Sequence, residues 1–241
     1  LLEEASFSVR ENAKITIMGQ NGAGKSTIFK MITRDLVPDE GSVNTGVNAT
    51  IAIASQVMKQ ENLEKTVEEF FGQVCKEKQY NLPKLIKDVL EVVHLHAPIE
   101  KKIRTFSGGQ QARLLLAYAL IQKPDILLLD EPTNNLDAQG IEHLTQFLIA
   151  YPKTVIVISH DADFLNSFTD GVLYLDVYTK IVEQYDGNYF DVIEQIANRV
   201  EKENSKNARL DKEALDKKEK ANFFAKKGGR LRILAKRMRE D

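Results

Sequence analysis

Residues 19–26 read Gly19-Gln20-Asn21-Gly22-Ala23-Gly24-Lys25-Ser26, and Thr27 follows. The string has the spacing G-x-x-x-x-G-K-[ST]. Ahead of it, residues 15–18 (Ile-Thr-Ile-Met) form a short apolar run, and residues 25–33 carry a helical pattern. A strand that passes through a glycine-rich loop into a helix leaves few folds open. The glycines let the backbone wrap closely around an anion. The loop N–H groups and the helix N-terminus then point at phosphate oxygens. Lys25 can reach the β- and γ-phosphates as a point charge, and Ser26 can place its hydroxyl on Mg2+, with Thr27 behind it. The loop predicts a nucleoside-triphosphate site inside an α/β domain.

Two further runs, residues 126–129 and 155–158, are apolar throughout. Such runs suit strands covered on both faces, as in a parallel sheet flanked by helices. They alternate with helical patterns at residues 64–96 and 109–122, which predicts an α/β fold with a parallel core sheet and a helical subdomain. Phe7 and Val9 alternate as in a β-meander, and residues 41–56 hold two short strand-like runs around 44–48. These predict an N-terminal antiparallel β-subdomain. Residues 172–190 return to strand-like patterning. From about residue 193 the chain is highly charged and helical, interrupted by Gly228-Gly229. The expected division is a nucleotide-binding domain over 1–196 and a charged, basic helical linker segment over 197–241.

The run at 126–129 ends in Asp130-Glu131. A buried strand that ends in a carboxylate suits the metal-holding element of a P-loop ATPase. Asp130 would hold Mg2+, mostly through water. Glu131 lies one residue further, where it could polarise an attacking water. The alternative is that one carboxylate only caps the following turn.

Four more segments narrow the reading. Phe106-Ser107-Gly108-Gly109-Gln110 resembles the signature motif of ATP-binding cassettes, with Phe in the usual Leu position. Taken alone, Ser107 could equally be the N-cap of the Leu/Ala-rich helix that follows. Gln56 looks like the Q-loop glutamine, Asn135-Leu136-Asp137 like the D-loop, and Ser159-His160-Asp161 like the switch-histidine segment. With the phosphate loop and Asp130-Glu131 they stand in the cassette order. The resemblance implies that two cassettes close head to tail on two ATP molecules. Lys25 and Ser26, with the loop residues around them, would bind one ATP. Ser26, Gln56 and Asp130 would hold Mg2+, and Gln56 would also sense the γ-phosphate. Glu131 would position the water and His160 the γ-phosphate. Ser107, Gly108 and Gly109, with Gln110 completing the motif, would reach the nucleotide of the partner cassette.

Residues 131–137 read Glu-Pro-Thr-Asn-Asn-Leu-Asp. This is similar to the Glu-Pro-Thr-Asn-His-Leu-Asp string of the ABC-F family, soluble tandem-cassette proteins that act mainly on ribosomes. Asn134 is kept, while Asn135 departs from the usual His. Tyr185-Asp186-Gly187-Asn188-Tyr189-Phe190 resembles the Tyr-x-Gly-Asn-Tyr segment that closes such a cassette before its linker. The resemblance implies a second cassette as partner, in the same longer chain or in a dimer, and ribosome and tRNA as targets. Antibiotic resistance is a variant of that role. It also implies one cassette with the start of a linker; the resemblance leaves first or second cassette open, and the linker-like segment that follows favours the first. The first strand and an adenine-stacking aromatic would then precede residue 1. The rival reading is the ATPase subunit of an ABC membrane transporter, which would need a membrane partner subunit.

Charge distribution bears on partners. The chain holds 33 Lys+Arg and 35 Asp+Glu, a net of −2. Residues 217–239 contain ten basic residues and one acidic, Glu219, so a basic segment of +9 follows a body of −11. Such a segment binds phosphate backbones with strong salt dependence. Phe223, Phe224, Leu231, Ile233 and Leu234 give it an apolar side, and a solvated coiled-coil arm is the alternative. The one cysteine, Cys75, excludes an internal disulfide framework, fits a reducing, cytoplasmic compartment, and is most simply a core residue. No stretch approaches the ~18 apolar residues of a membrane span. His94 and His96 end a helix and His143 lies on a surface helix, positions that call for no ligand role. Between Gln56 and Ser107 lie 50 residues. That gap leaves no room for a long arm insertion or for the coiled coils of chromosome-associated cassettes.

Overall fold

The computed structural model of the protein describes residues 5–46, 48–54, 57–74 and 81–226. Its centre is a six-stranded sheet of β1 (Lys14–Gly19), β2 (Ile51–Ala54), β3 (Ile126–Asp130), β4 (Thr154–Ile158), β5 (Gly171–Leu175) and β6 (Val182–Asp186). The spatial order is β2-β3-β4-β1-β5-β6. All pairings are parallel except β5 with β6.

The apolar runs are explained by two covered faces. Successive strand residues point to opposite sides. Leu127, Leu129, Val155 and Val157 enter one core, while Leu128, Ile156 and Ile158 enter the other. The second core is closed by α1 (Lys25–Ile32), which contributes Ile28, Phe29 and Ile32. The first is closed by α2 (Val67–Gly72), α3 (Leu82–Val92), α4 (Gly108–Ile121), α5 (Ala138–Ala150) and α6 (Ala162–Asn166), with Phe70, Phe71, Ile86, Leu114 and Leu144 almost fully buried. The Phe70 ring stacks on Tyr118 of α4 at 4.3 Å between centroids. Thr66 starts α2 with a reciprocal capping box to Glu69.

The antiparallel part of the sheet is the β5–β6 pair, not the N-terminal segments. Among the described residues, neither 5–13 nor 41–46 forms a strand. A ladder needs a neighbouring backbone, and here a side chain takes its place. The Ser8 N–H donates to Gln184 Oε1 at 3.5 Å, and Gln184 Nε2 donates to the Ser8 carbonyl at 3.0 Å. Phe7 and Val9 still turn inward and pack against the second core.

The helical pattern over 64–96 resolves into α2 and α3, with residues 75–80, Cys75 included, outside the described residues. Helix α7 (Tyr189–Lys226) begins a few residues earlier than the charge pattern indicated. The chain divides within it into a compact unit ending at Val192 and a second unit starting at Ile193. Gly228, Gly229, Leu231, Ile233 and Leu234 fall outside the described residues. Among the described residues, no helix is long and apolar enough to cross a membrane.

Candidate functional site

Strands β1, β3 and β4 are parallel neighbours, so their C-terminal ends open on one edge of the sheet. That edge is where ligand crevices of open parallel sheets form. Each of the three strands delivers part of one site there.

β1 delivers the phosphate loop. A Cβ at Gly19 would stand 2.7 Å from the Leu175 carbonyl, so only glycine lets the loop leave the sheet this close to β5. Gly24, at φ 96°, turns the chain into α1 through a left-handed conformation. Ala23 is buried beneath the loop. The Lys25 ammonium folds back over it, donating to the carbonyls of Gly19 at 2.7 Å and Gln20 at 3.2 Å.

β3 delivers the carboxylates. Ser26 Oγ donates to Asp130 Oδ2 at 3.1 Å, which brings a hydroxyl and a carboxylate from positions 104 residues apart into contact. Two hard oxygens beside each other suit Mg2+. Glu131 takes φ 50°, and its N–H donates to the Ile158 carbonyl at 2.7 Å. Its side chain is 14% exposed. Burial pushes the Glu131 carboxyl above the usual carboxylate range. The nearby His160 opposes that shift, Asp130 adds to it, and Lys25 opposes it.

β4 delivers His160, whose Nε2 lies 3.3 Å from Glu131 Oε1. Its loop is fixed on both sides. Ser159 Oγ accepts the Asp161 N–H at 3.2 Å, and Asp161 caps α6 through the Phe164 N–H at 3.0 Å.

These pieces enclose a cavity of about 470 Å³. Asn21, Gly22, Gly24, Lys25, Ser26 and Thr27 line one wall, and Asp130, Glu131, Asn134, Ile158 and His160 the other. The signature residues Ser107, Gly108, Gly109 and Gln110 are not in this lining. They form the N-terminus of α4, where Ser107 Oγ accepts the Gln110 N–H at 3.3 Å and Gln110 Oε1 accepts the Ser107 N–H at 3.0 Å. Gln56 lies outside the described residues.

A profile of the ABC transporter family matches residues 2–134, from ahead of the phosphate loop to the turn after Glu131. The chain belongs to the ATP-binding-cassette family. It carries an ATPase domain of that kind. The probable ATP-binding protein YbiT of Escherichia coli O157:H7 is 33% identical over 195 residues, covering 80% of this chain and 36% of YbiT. The energy-dependent translational throttle protein EttA of Mycobacterium tuberculosis is 29% identical over 247 residues, covering 88% of this chain and 44% of EttA. These relatives are of the ABC-F type. The chain thus spans less than half the length of either. A solved dimeric ATP-binding cassette, in a post-hydrolysis state with ADP and Pi, superposes with a TM-score of 0.64 at 25% identity, covering 77% of this chain and 90% of its own.

Asn134 and Ile158 line the cavity although the motifs assign them no part in it. Asn134 returns because the chain turns tightly after β3: its N–H reaches the Glu131 carbonyl at 3.4 Å. The Pro132 that follows Glu131 is the local signal of that turn.

Proposed function

We propose that this chain is one ATP-hydrolysing cassette of an ABC-F-type translation factor that acts on the ribosome in the cytoplasm. The observation that carries this reading is the similarity to EttA over 88% of the chain, together with the Glu131–Asp137 string, which matches that of the ABC-F family at every position but Asn135. The exposed lysines Lys217, Lys218 and Lys220 on α7 support contact with RNA phosphates.

In this reading the loop N–H groups of residues 19–27 and the Lys25 ammonium hold the ATP phosphates. Ser26 and Asp130 would hold Mg2+, with Gln56 as a third ligand, and the ion would supply positive charge against the developing phosphate charge. Glu131 orients the attacking water, and its raised proton affinity makes it a stronger base than an ordinary carboxylate. His160 steadies the Glu131 carboxylate and meets the γ-phosphate. Ser107, Gly108, Gly109 and Gln110 serve the nucleotide held by a second cassette. Closure of the two cassettes on ATP fixes the factor on the ribosome beside the tRNA, and hydrolysis releases it. An antibiotic-resistance role would use the same cycle.

The ABC transporter description of the matching family favours a second reading, the ATPase subunit of a membrane transporter. One experiment separates them. The intact protein carrying Glu131→Gln is sedimented with ribosome and membrane fractions, with and without ATP. ATP-dependent, salt-sensitive recovery with ribosomes is the expected result. Recovery with membranes and none with ribosomes overturns the translation reading in favour of the transporter.

A further inference from the structure

Helix α3 ends in an arrangement that normally calls for glycine. The His94 N–H donates to the Glu91 carbonyl at 3.0 Å and the Leu95 N–H to the Leu90 carbonyl at 2.9 Å, the paired bonds of a Schellman end. The residue between them must take a left-handed backbone, and here it is a histidine at φ 50°. A side chain with a Cβ is unfavourable at that point. Its imidazole is therefore the feature to explain, and it points at the D-loop.

His94 Nδ1 lies 3.0 and 3.1 Å from the two carboxylate oxygens of Asp137. Arg113 of α4 joins the same cluster. It donates to the His94 carbonyl at 2.8 Å and to the Asn135 carbonyl at 2.7 Å, and its second terminal nitrogen stands 3.6 Å from Asp137. The Asp137 carboxyl is held below its usual range by the Gly140 N–H and by His94, with Arg113 adding to the effect. His96 and His143 set their rings edge-on to His94, but among the described residues no group of three or more His, Cys, Asp or Glu is placed to hold a metal.

Asp137 ends the turn that starts at Glu131. Along it the Asn134 N–H reaches the Glu131 carbonyl, and the Leu136 N–H donates to the Thr133 carbonyl at 3.0 Å. Fixing Asp137 fixes the far end of the segment that carries Glu131 and Asn134 into the cavity. We propose that His94 is a positioning residue for ATP hydrolysis: it tethers Asp137 to the end of α3 and so holds the Glu131–Asp137 turn in register with the nucleotide. The proposal rests on the ATPase reading of the site.

The left-handed backbone makes the test clean. His94→Gly removes the tether and relieves the backbone at once, so the fold is not weakened by strain. His94→Asn tolerates the same backbone and can still donate to Asp137. In the intact protein, His94→Gly is expected to keep or raise Tm and to leave the KM for ATP within about twofold while kcat falls about tenfold, as small displacements of reacting groups do. Hydrogen exchange at the backbone amides of residues 134–136 should quicken, and His94→Asn should restore most of kcat. An unchanged kcat or unchanged exchange in His94→Gly overturns the proposal, as does a loss that follows Tm and that Asn does not rescue. If the wild-type protein hydrolyses no ATP, the ATPase reading fails instead, and the exchange comparison still decides the tether.

Discussion

Glu131 is held in two unfavourable states at once. Its backbone is left-handed, and its carboxylate is mostly withdrawn from water beside another carboxylate, Asp130. Both follow from its place one residue beyond β3, where the chain must turn over the end of the sheet. The raised affinity for a proton has two consequences with definite signs. First, catalysis by an ionised Glu131 fades as pH falls through its raised value, at a higher pH than an ordinary glutamate would give. His160 pulls that value down, so His160→Ala should move the acidic limb of the kcat profile to still higher pH. A limb that stays in place would show that another group sets it. Second, an acid whose folded value is raised contributes stability that is present below its unfolded value and lost as pH rises through the folded one. Glu131→Gln should therefore raise Tm near pH ~7, and the gain should vanish near pH ~4. The same variant should lose turnover by a factor of about a hundred or more while still binding ATP, since the phosphate loop is untouched. Turnover and nucleotide binding measured on one preparation check both halves.

The elements show where sequence patterns suffice and where they do not. The loop between β1 and α1, and the carboxylates at the end of β3, are legible because their chemistry is local: a few adjacent residues fix both backbone and ligand groups. The core strands are legible because two covered faces leave no polar position in the run. Residues 5–13 and 41–46 mislead, because alternation gives a strand only where a backbone partner lies alongside, and beside Ser8 the partner is the Gln184 side chain. The His94–Asp137 contact is invisible in the sequence, since it joins residues 43 apart. At the start of α4 the capping role of Ser107 is seen directly, and it leaves the proposed role at a second cassette's nucleotide open to test. Its place at the helix N-terminus suits an anion of the second cassette. Two substitutions separate these roles. Ser107→Ala removes the cap and should lower stability by about 1 kcal/mol, or about 2–4 °C in Tm. Ser107→Asp is an equally good cap and should leave Tm close to wild type. Its negative charge would face a phosphate, so turnover should be lost. Retained turnover in Ser107→Asp would remove Ser107 from the site.

At the scale of the whole molecule, the cavity collects Lys25, Ser26, Asp130, Glu131 and His160 from one cassette and leaves Ser107 to Gln110 outside it. A helix N-terminus with two glycines in its first turn can approach phosphate closely, yet it lines no part of its own cavity. The proposed head-to-tail closure resolves this, because each cassette then supplies the signature of the other's site. The arrangement has a consequence that no single-cassette mechanism shares. A Glu131→Gln chain lacks its own water-orienting carboxylate but still presents an intact signature. A Ser107→Asp chain presents a repelling signature but keeps its own Glu131. Where this cassette pairs with a copy of itself, each pure variant should be inactive, since every paired site contains the defect. In a mixture, the Glu131 cavity of one variant meets the intact Ser107 of the other, and one complete site forms per mixed pair. ATP turnover should therefore appear on mixing two inactive proteins, and should rise more than linearly with total concentration as pairs form. A mixture in which mixed pairs form on ATP but turnover stays as low as in its components would mean that Ser107 and Glu131 do not complete one site across two cassettes, and the composite site would have to be abandoned.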